Sequence, residues 1–357
     1  MLNNKIGDAI NIMTIRTGLV RDRRFLDHTM GPGHVESPLR LEAISAMLAE
    51  EKPDNLTEIA PRPATEQELE LIHTAAYVRS IRETAGKPLV VLDPDTSTSA
   101  LTWETARLAA GGAIEAAEAV RRGEVRNAFA LVRPPGHHAE AGRAMGFCIF
   151  NNVAVAAAHL VRNAGLKRVL IADWDLHQGN GTQQAFYERR DVLYFSTHQY
   201  PYYPGTGFWD ETGKGEGQGF TVNIPLSPGK SDRDYLFIYR NILGPIAAEF
   251  RPEFILVSAG FDIYGGDPLG GMEVSPEGFA ALAAELLSQA AHLCGGRILF
   301  ALEGGYSLAG LREGVKQVLL QMNGTGKAPS LPAEASVSTL KELAPALDHL
   351  RKYWPIP

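Results

Sequence analysis

The sequence predicts an α/β protein built on an open, doubly wound, mostly parallel sheet with helices on both faces. Short apolar runs rich in branched and aromatic residues recur along the chain, and longer alanine-rich segments with helical spacing separate them. That alternation favours parallel strands joined by crossover helices. The chemically capable residues also gather just after the apolar runs. Open parallel sheets bind ligands there, beyond the carboxyl ends of their strands.

Residues 128–132, 169–172, 192–196, 220–224, 254–258 and 298–302 read as buried strands. Thr102–Arg121, 152–163, 232–250 and Pro276–Cys294 read as helices, the last with Ser275 as cap and proline in the first helical position. The glycine-rich stretch TGKGEGQG at 212–219 reads as a flexible loop rather than a boundary, because strand pattern resumes directly after it. With no internal repeat and no low-complexity linker, residues 1–357 read as one catalytic domain.

A chain of 357 residues, 45% hydrophobic, can bury a core without disulfides or a structural metal. Cys148 and Cys294 form no disulfide framework, which points to a reducing cytoplasm. The first 25 residues lack the apolar core of a signal peptide, and no stretch approaches the ~20 apolar residues of a membrane helix. Net charge is −7 with scattered basic residues, so neither nucleic acid nor membrane is an expected partner. The apolar tail, residues 344–357, is suited to packing on the body or on a second subunit, and a homo-oligomer is compatible with it.

The loops after the strands carry the chemistry. In Asp173-Trp174-Asp175-Leu176-His177, extended backbone puts the two carboxylates and the imidazole on one side. That set suits a divalent metal; a buried ion pair or a helix cap is the alternative. Asp262, after another strand, supplies a third ligand and would leave a coordination position open for water. His137-His138, in a loop stiffened by Pro134, Pro135 and Gly136, offers metal ligands or acid/base groups, or is simply solvated. Tyr306, in Glu303-Gly304-Gly305-Tyr306, either donates to a developing oxyanion or packs on its turn.

The blocks RPPGHHA, MGFCIFNN, DWDLHQGNGTQ, STHQYPYYPGTG, SAGFD, DPLGG and EGGY, in this order between about His28 and Gly310, resemble the histone deacetylase superfamily in its class II and bacterial branch, which includes acetylpolyamine amidohydrolases. The resemblance implies an arginase/deacetylase-like fold with about eight strands and one catalytic zinc, iron(II) being an alternative metal in cells. It implies that Asp175, His177 and Asp262 hold the metal. His138 would shuttle the proton, His137 would pair with Asp173 and stabilise the transition state, and Tyr306 would bind the carbonyl oxygen. Gly146, Phe147, Tyr203 and Leu269 would line an acyl-lysine tunnel, core packing being the other reading of the aromatic pair. A potassium site would use Asp173, Asp175, His177, Ser196 and Thr197. Arg40 matches an arginine beside an internal channel, with a surface ion pair as the alternative. Cys148 is expected to pack rather than react. His28, His34, His198 and Glu303 lie in the motif blocks without an assigned chemical role.

The expected reaction is hydrolysis of acetyl or other acyl groups from lysine side chains of peptides or proteins. Acylated polyamines are the rival substrates, and an inactive acyl-lysine-binding member is a third reading. A two-metal ureohydrolase site would need more ligands than these. Leu269 stands where some polyamine-selective relatives have a glutamate, which favours lysine. The chain departs from the family pattern at Gln178, usually histidine, at Asn180, where some relatives have aspartate, and in the entrance loop His34–Pro38.

Overall fold

Eight strands, parallel at every neighbouring pair, form the main sheet of the computed structural model, which describes residues 16–327, 329–332 and 334–356. Residues 1–15, on which most of the signal-peptide reading falls, and Pro357 of the apolar tail lie outside that range. The chain runs through β1 (Thr17–Val20), α1 (Leu39–Glu51), β2 (Leu56–Glu58), α2 (Glu66–Leu69), α3 (Ala75–Arg82) and the hairpin β3 (Val90–Asp93) and β4 (Thr96–Thr98). It continues through α4 (Thr102–Arg121), β5 (Asn127–Ala130), α5 (Asn152–Arg162), β6 (Val169–Asp173), α6 (Asn180–Phe186), β7 (Val192–Gln199) and β8 (Thr221–Leu226). The last part holds α7 (Asp232–Ile238), α8 (Gly244–Phe250), β9 (Phe254–Ala259), α9 (Pro276–Cys294), β10 (Ile298–Leu302), α10 (Leu308–Met322) and α11 (Val337–Leu350).

The strand order is β2-β1-β5-β10-β9-β6-β7-β8. Helices α4 and α5 pack on one face, while α1, α10, α9 and α7 follow one another across the other. The central strands are therefore buried on both sides and read as continuous apolar runs rather than alternating ones. The five loops that drew attention in the sequence leave β5, β10, β9, β6 and β7, which are consecutive neighbours in this order. Topology thus delivers residues up to 170 positions apart to one rim.

Several boundaries differ from expectation. β5 ends at Ala130 rather than residue 132, because Pro134 and Pro135 carry no N–H and turn the chain away from the ladder. β8 runs on to Leu226 through Pro225, which an edge strand tolerates. The helix expected over 232–250 is interrupted by a wider turn at Tyr239–Leu243, where Gly244 N donates to Tyr239 O. Pro245 cannot supply the next helical N–H, and a local five-residue spacing accommodates it. Ser275 caps α9 as expected, accepting from Gly278 N at 3.2 Å.

Residues 212–219 are not a free loop. Gly219 N donates to Thr212 O at 2.6 Å and Lys214 N to Tyr187 O at 2.8 Å, and a Cβ on Gly217 would lie 2.4 Å from Tyr187 O. The apolar tail packs on the body: Leu350, Trp354 and Ile356 join the main core, and Trp354 Nε1 donates to Gly219 O at 2.8 Å.

Candidate active site

At the exits of β6 and β9, His177 Nδ1 lies 3.2 Å from Asp175 Oδ1 and 3.1 Å from Asp262 Oδ2. Ligand atoms of these three residues all fall within 4.8 Å of one another. Tetrahedral zinc, with bonds near 2.0–2.1 Å, needs ligand separations of roughly 3.3–3.4 Å. The carboxylates are aimed from behind: Asp262 Oδ1 accepts from Leu176 N at 2.8 Å and Asp175 Oδ2 from Gly304 N at 2.8 Å. Gly260 and Gly304 make this possible, because a Cβ at either would sit 2.1–2.2 Å from a carboxylate oxygen of the set. The side chains of the Asp173–His177 segment do not cap α6, so the helix-cap alternative fails.

Electrostatics point the same way. Burial, then the charge of Asp175, pushes the Asp262 carboxyl up to about 7. Burial opposes ionisation of Asp175 as well, but His137 and His177 hold it far below the carboxylate range. Burial lowers His177, yet its bonds to Asp175 and Asp262 lift it to about 9. A divalent cation bound here would displace the protons that His177 and Asp262 hold. Two carboxylates and one imidazole fit a catalytic ion with an open position.

The paired imidazoles lie side by side, tilted at 47° with centroids 4.0 Å apart. His137 Nδ1 faces Asp173 Oδ2 at 3.1 Å, and Tyr194 OH donates to the same oxygen at 2.9 Å. Burial lowers His137, but Asp175 and Asp173 outweigh it and raise the group to about 10. His138 is opposite in character: burial, His137 and His177 all push it well below the usual range. Its Nδ1 bonds Asn180 Oδ1 at 2.8 Å, while Asn180 Nδ2 donates to Glu140 Oε1 at 2.9 Å. That orientation of the amide leaves Nδ1 of His138 as the donor and Nε2 as a free base.

The cavity over these groups is about 220 Å³ and is lined by Asp95, His138, Gly146, Phe147, His177, Tyr202, Tyr203, Leu269 and Tyr306. All four expected wall residues line it, and Tyr306 faces it rather than a turn. Gly146 and Phe147 both take left-handed backbone (φ 56° and 67°), and a Cβ on Gly146 would strike the His138 ring at 2.3 Å. Asp95 Oδ1 accepts from Gly146 N and Thr96 Oγ1 from Phe147 N, so the β3–β4 turn holds this unusual segment. Sequence reading missed Asp95 and Tyr202. Tyr202 had a signal, since it stands beside Tyr203; Asp95 lies in an unremarked hairpin. The Tyr203 hydroxyl is buried without a hydrogen-bond partner.

Arg40 is wholly buried, so its surface-pair reading fails. Its Nε donates to Gly305 O at 2.7 Å, its NH2 to Glu303 O, and its guanidinium lies 5.1 Å from the Tyr306 ring. Glu36 bridges Arg40 (3.1 Å) and Arg133 (2.5 Å), behind the loops of β5 and β10. Glu303 accepts from Gly136 N at 2.7 Å and His137 N at 3.2 Å, tying the histidine loop to β10. Beneath the site, Asp173 O receives Tyr239 OH at 3.1 Å and Thr197 Oγ1 at 3.4 Å, and Ser196 pairs Asp173 in register. Cys148 is buried, its thiol pushed up by burial. His34 packs edge-on to Phe147 at 4.7 Å, placing its loop at the mouth.

Comparison with known proteins agrees with this geometry. The family model described as the histone deacetylase domain matches residues 34–322. "Histone deacetylase 15" of Arabidopsis thaliana is 40% identical over 354 residues, covering 96% of this chain and 63% of that protein. A "Probable deacetylase" of Archaeoglobus fulgidus is 41% identical over 297 residues, 82% of each. "Polyamine deacetylase HDAC10" of Homo sapiens is 41% identical over 337 residues, 90% of this chain and 49% of that one. This chain therefore spans less than two thirds of the plant and human relatives. The crystal structure of the HDA15 HD domain superposes with a TM-score of 0.90 at 40% identity, covering 96% of each chain, and the sheet is the arginase/deacetylase-like one. The chain belongs to the histone deacetylase family.

Proposed function

We propose that this chain is one catalytic unit, a zinc-dependent deacylase that hydrolyses the amide of acylated lysine side chains in peptides or proteins. One observation carries the reading: three ligand atoms converge while His138 and Tyr306 face the same cavity. Asp175, His177 and Asp262 would hold the ion. Zinc there, or iron(II) in cells, would polarise the acyl carbonyl and bring the pKa of water from about 15.7 toward about 7.

The chain's own groups supply the rest. His138, neutral and with Nε2 unbonded, takes a proton from the attacking water and returns it to the leaving nitrogen. His137, kept cationic by Asp173 and Asp175, stabilises negative charge as it grows. Tyr306 stays protonated through burial and donates to the carbonyl oxygen as it becomes an oxyanion. Phe147, Tyr203 and Leu269 exclude water along the aliphatic stem. A potassium ion near Asp173, Asp175, His177, Ser196 and Thr197 belongs to the same proposal, supported by the polar groups gathered on Asp173 O. A reducing cytoplasm is consistent with two buried free thiols.

Hydrolysis of acetylated polyamines is the second reading, favoured by the likeness to the human polyamine deacetylase. Leu269 at the mouth supplies no carboxylate for a distant ammonium, which favours lysine. Rates per KM on an acetyl-lysine peptide and on acetylputrescine decide between them: the proposal expects the peptide to be preferred. Faster turnover of acetylputrescine would transfer it to the polyamine class, and no turnover of either would leave only an acyl-lysine-binding role.

A further inference from the structure

The loop 200–211 leaves β7 and carries Tyr202 and Tyr203, one wall of the cavity. It is held by a polar cluster that the proposed reaction does not use. Glu211 Oε1 accepts from Gly207 N and Phe208 N, both at 3.0 Å, and Oε2 accepts from Gln183 Nε2 at 2.6 Å. Gln183 Oε1 in turn accepts from Gln178 Nε2 at 2.9 Å and Asn223 Nδ2 at 2.8 Å. Gln178 Oε1 accepts from Thr206 Oγ1 at 2.8 Å, which closes the circuit back onto the loop. His198 Nε2 donates to Gly207 O at 2.7 Å from below.

Gly207 sits where no other residue fits: φ is 90°, and a Cβ would lie 2.3 Å from Gln178 Cγ and 2.6 Å from His198 Nε2. Gln178, Gln183 and Asn223 are buried, so each amide group needs a partner, and breaking one bond strands another. Gln178 directly follows the ligand His177, so one short segment touches both the metal site and the wall. An exposed loop with aromatic tips would otherwise have many conformations.

We infer that Gln178 and Glu211 are positioning residues that fix the Tyr202–Tyr203 wall, and so set acyl-lysine affinity rather than the rate of bond cleavage. The inference deepens the proposed deacylase reading. Loop 200–211 also carries Trp209, and the other three tryptophans, Trp103, Trp174 and Trp354, are buried. Acrylamide quenching of tryptophan fluorescence therefore reports the loop without depending on turnover.

The test uses the metal-loaded full chain, a fluorogenic acetyl-lysine peptide, and the variants Glu211→Ala, Gln178→Ala and Glu211→Gln. The alanine variants are expected to raise KM about five- to tenfold, keep kcat within about twofold and keep bound metal at the wild-type ratio, with quenching increased. This corresponds to the loss of one or two buried hydrogen bonds. Glu211→Gln keeps an acceptor for the two loop amides and should fall between alanine and wild type. Unchanged KM with unchanged quenching overturns the inference. A fall in kcat accompanied by loss of metal also overturns it, since the cluster would then serve the metal loop. If Glu211→Ala does not fold, Glu211→Gln and Gln178→Ala decide by the same criteria. Should the wild type hydrolyse no peptide, the deacylase reading fails, while quenching still tests whether the cluster holds the wall.

Discussion

Asp173, Asp175 and Asp262, on the floor of the cavity, expose 1% or less of their surface, whereas Val35, beside His34 in the entrance loop, and Tyr202 at the mouth expose 42 and 41%. Floor residues lie at or just beyond the ends of adjacent parallel strands, and backbone N–H groups from neighbouring segments aim their carboxylates. Mouth residues stand on loops from several separate parts of the chain, and side-chain hydrogen bonds and aromatic edges hold segments among them. The contrast assigns chemistry to the sheet and selectivity to the loops. A floor substitution should remove a function outright, and a mouth substitution should shift a preference.

The largest effects break the floor. His177→Ala or Asp262→Asn should take bound metal and turnover together to background, measured by metal analysis and peptide hydrolysis. His138→Ala should lower kcat by about 10²–10⁴-fold, the usual share of a general acid/base. Its bound metal should be unchanged; a metal-free variant would make His138 a ligand instead. Tyr306→Phe should cost about 10²-fold in kcat with KM little altered, the scale of a lost oxyanion donor.

Stability comes next. Burial raises the Glu36 carboxyl, but Arg133 and Arg40 overcome it and hold the group at about 2. Its folded pKa is therefore depressed, so its contribution is complete above the ordinary value of 4.5 and lost as pH falls toward 2. His28, kept near 4 chiefly by burial, acts in the same direction between 6.5 and 4, because the unfolded chain takes up its proton first. His73 and His198 behave alike. Asp262 and Glu303, both raised to about 7, act in the opposite sense. The three histidines together with Glu36 outweigh them, so Tm should fall from pH 6.5 to 4; a rising profile would contradict the burial of these imidazoles as neutral groups. The smallest effect sharpens the mouth. Leu269→Glu should improve acetylputrescine relative to the peptide by up to about fivefold in kcat/KM, the worth of a partly exposed ion pair.

Much of the floor was legible because a strand followed by Asp-x-Asp-x-His, or by a lone Asp, carries its geometry in two-residue spacing. The five loops were readable as one rim because all leave the carboxyl ends of parallel strands, although the order across the sheet, β5-β10-β9-β6-β7, differs from the order along the chain. Glu36, Arg40 and Arg133 were not legible as a unit. Arg133 and Glu36 stand 97 positions apart, and a buried ion pair has no periodic signature. β2 and the β3–β4 hairpin are three or four residues long, too short for alternation to register, and Asp95 was missed with them. The polar clamp on residues 200–211 escaped because glutamine and asparagine read as surface residues until burial shows otherwise.

The central claim is that Asp175, His177 and Asp262 share one cation. Metal content of the purified chain, compared with that of His177→Ala, tests it most directly. The account predicts close to one divalent ion per wild-type chain and almost none in the variant. Equal metal in both, or a metal-free wild type that still hydrolyses acetyl-lysine in the presence of chelator, would contradict it.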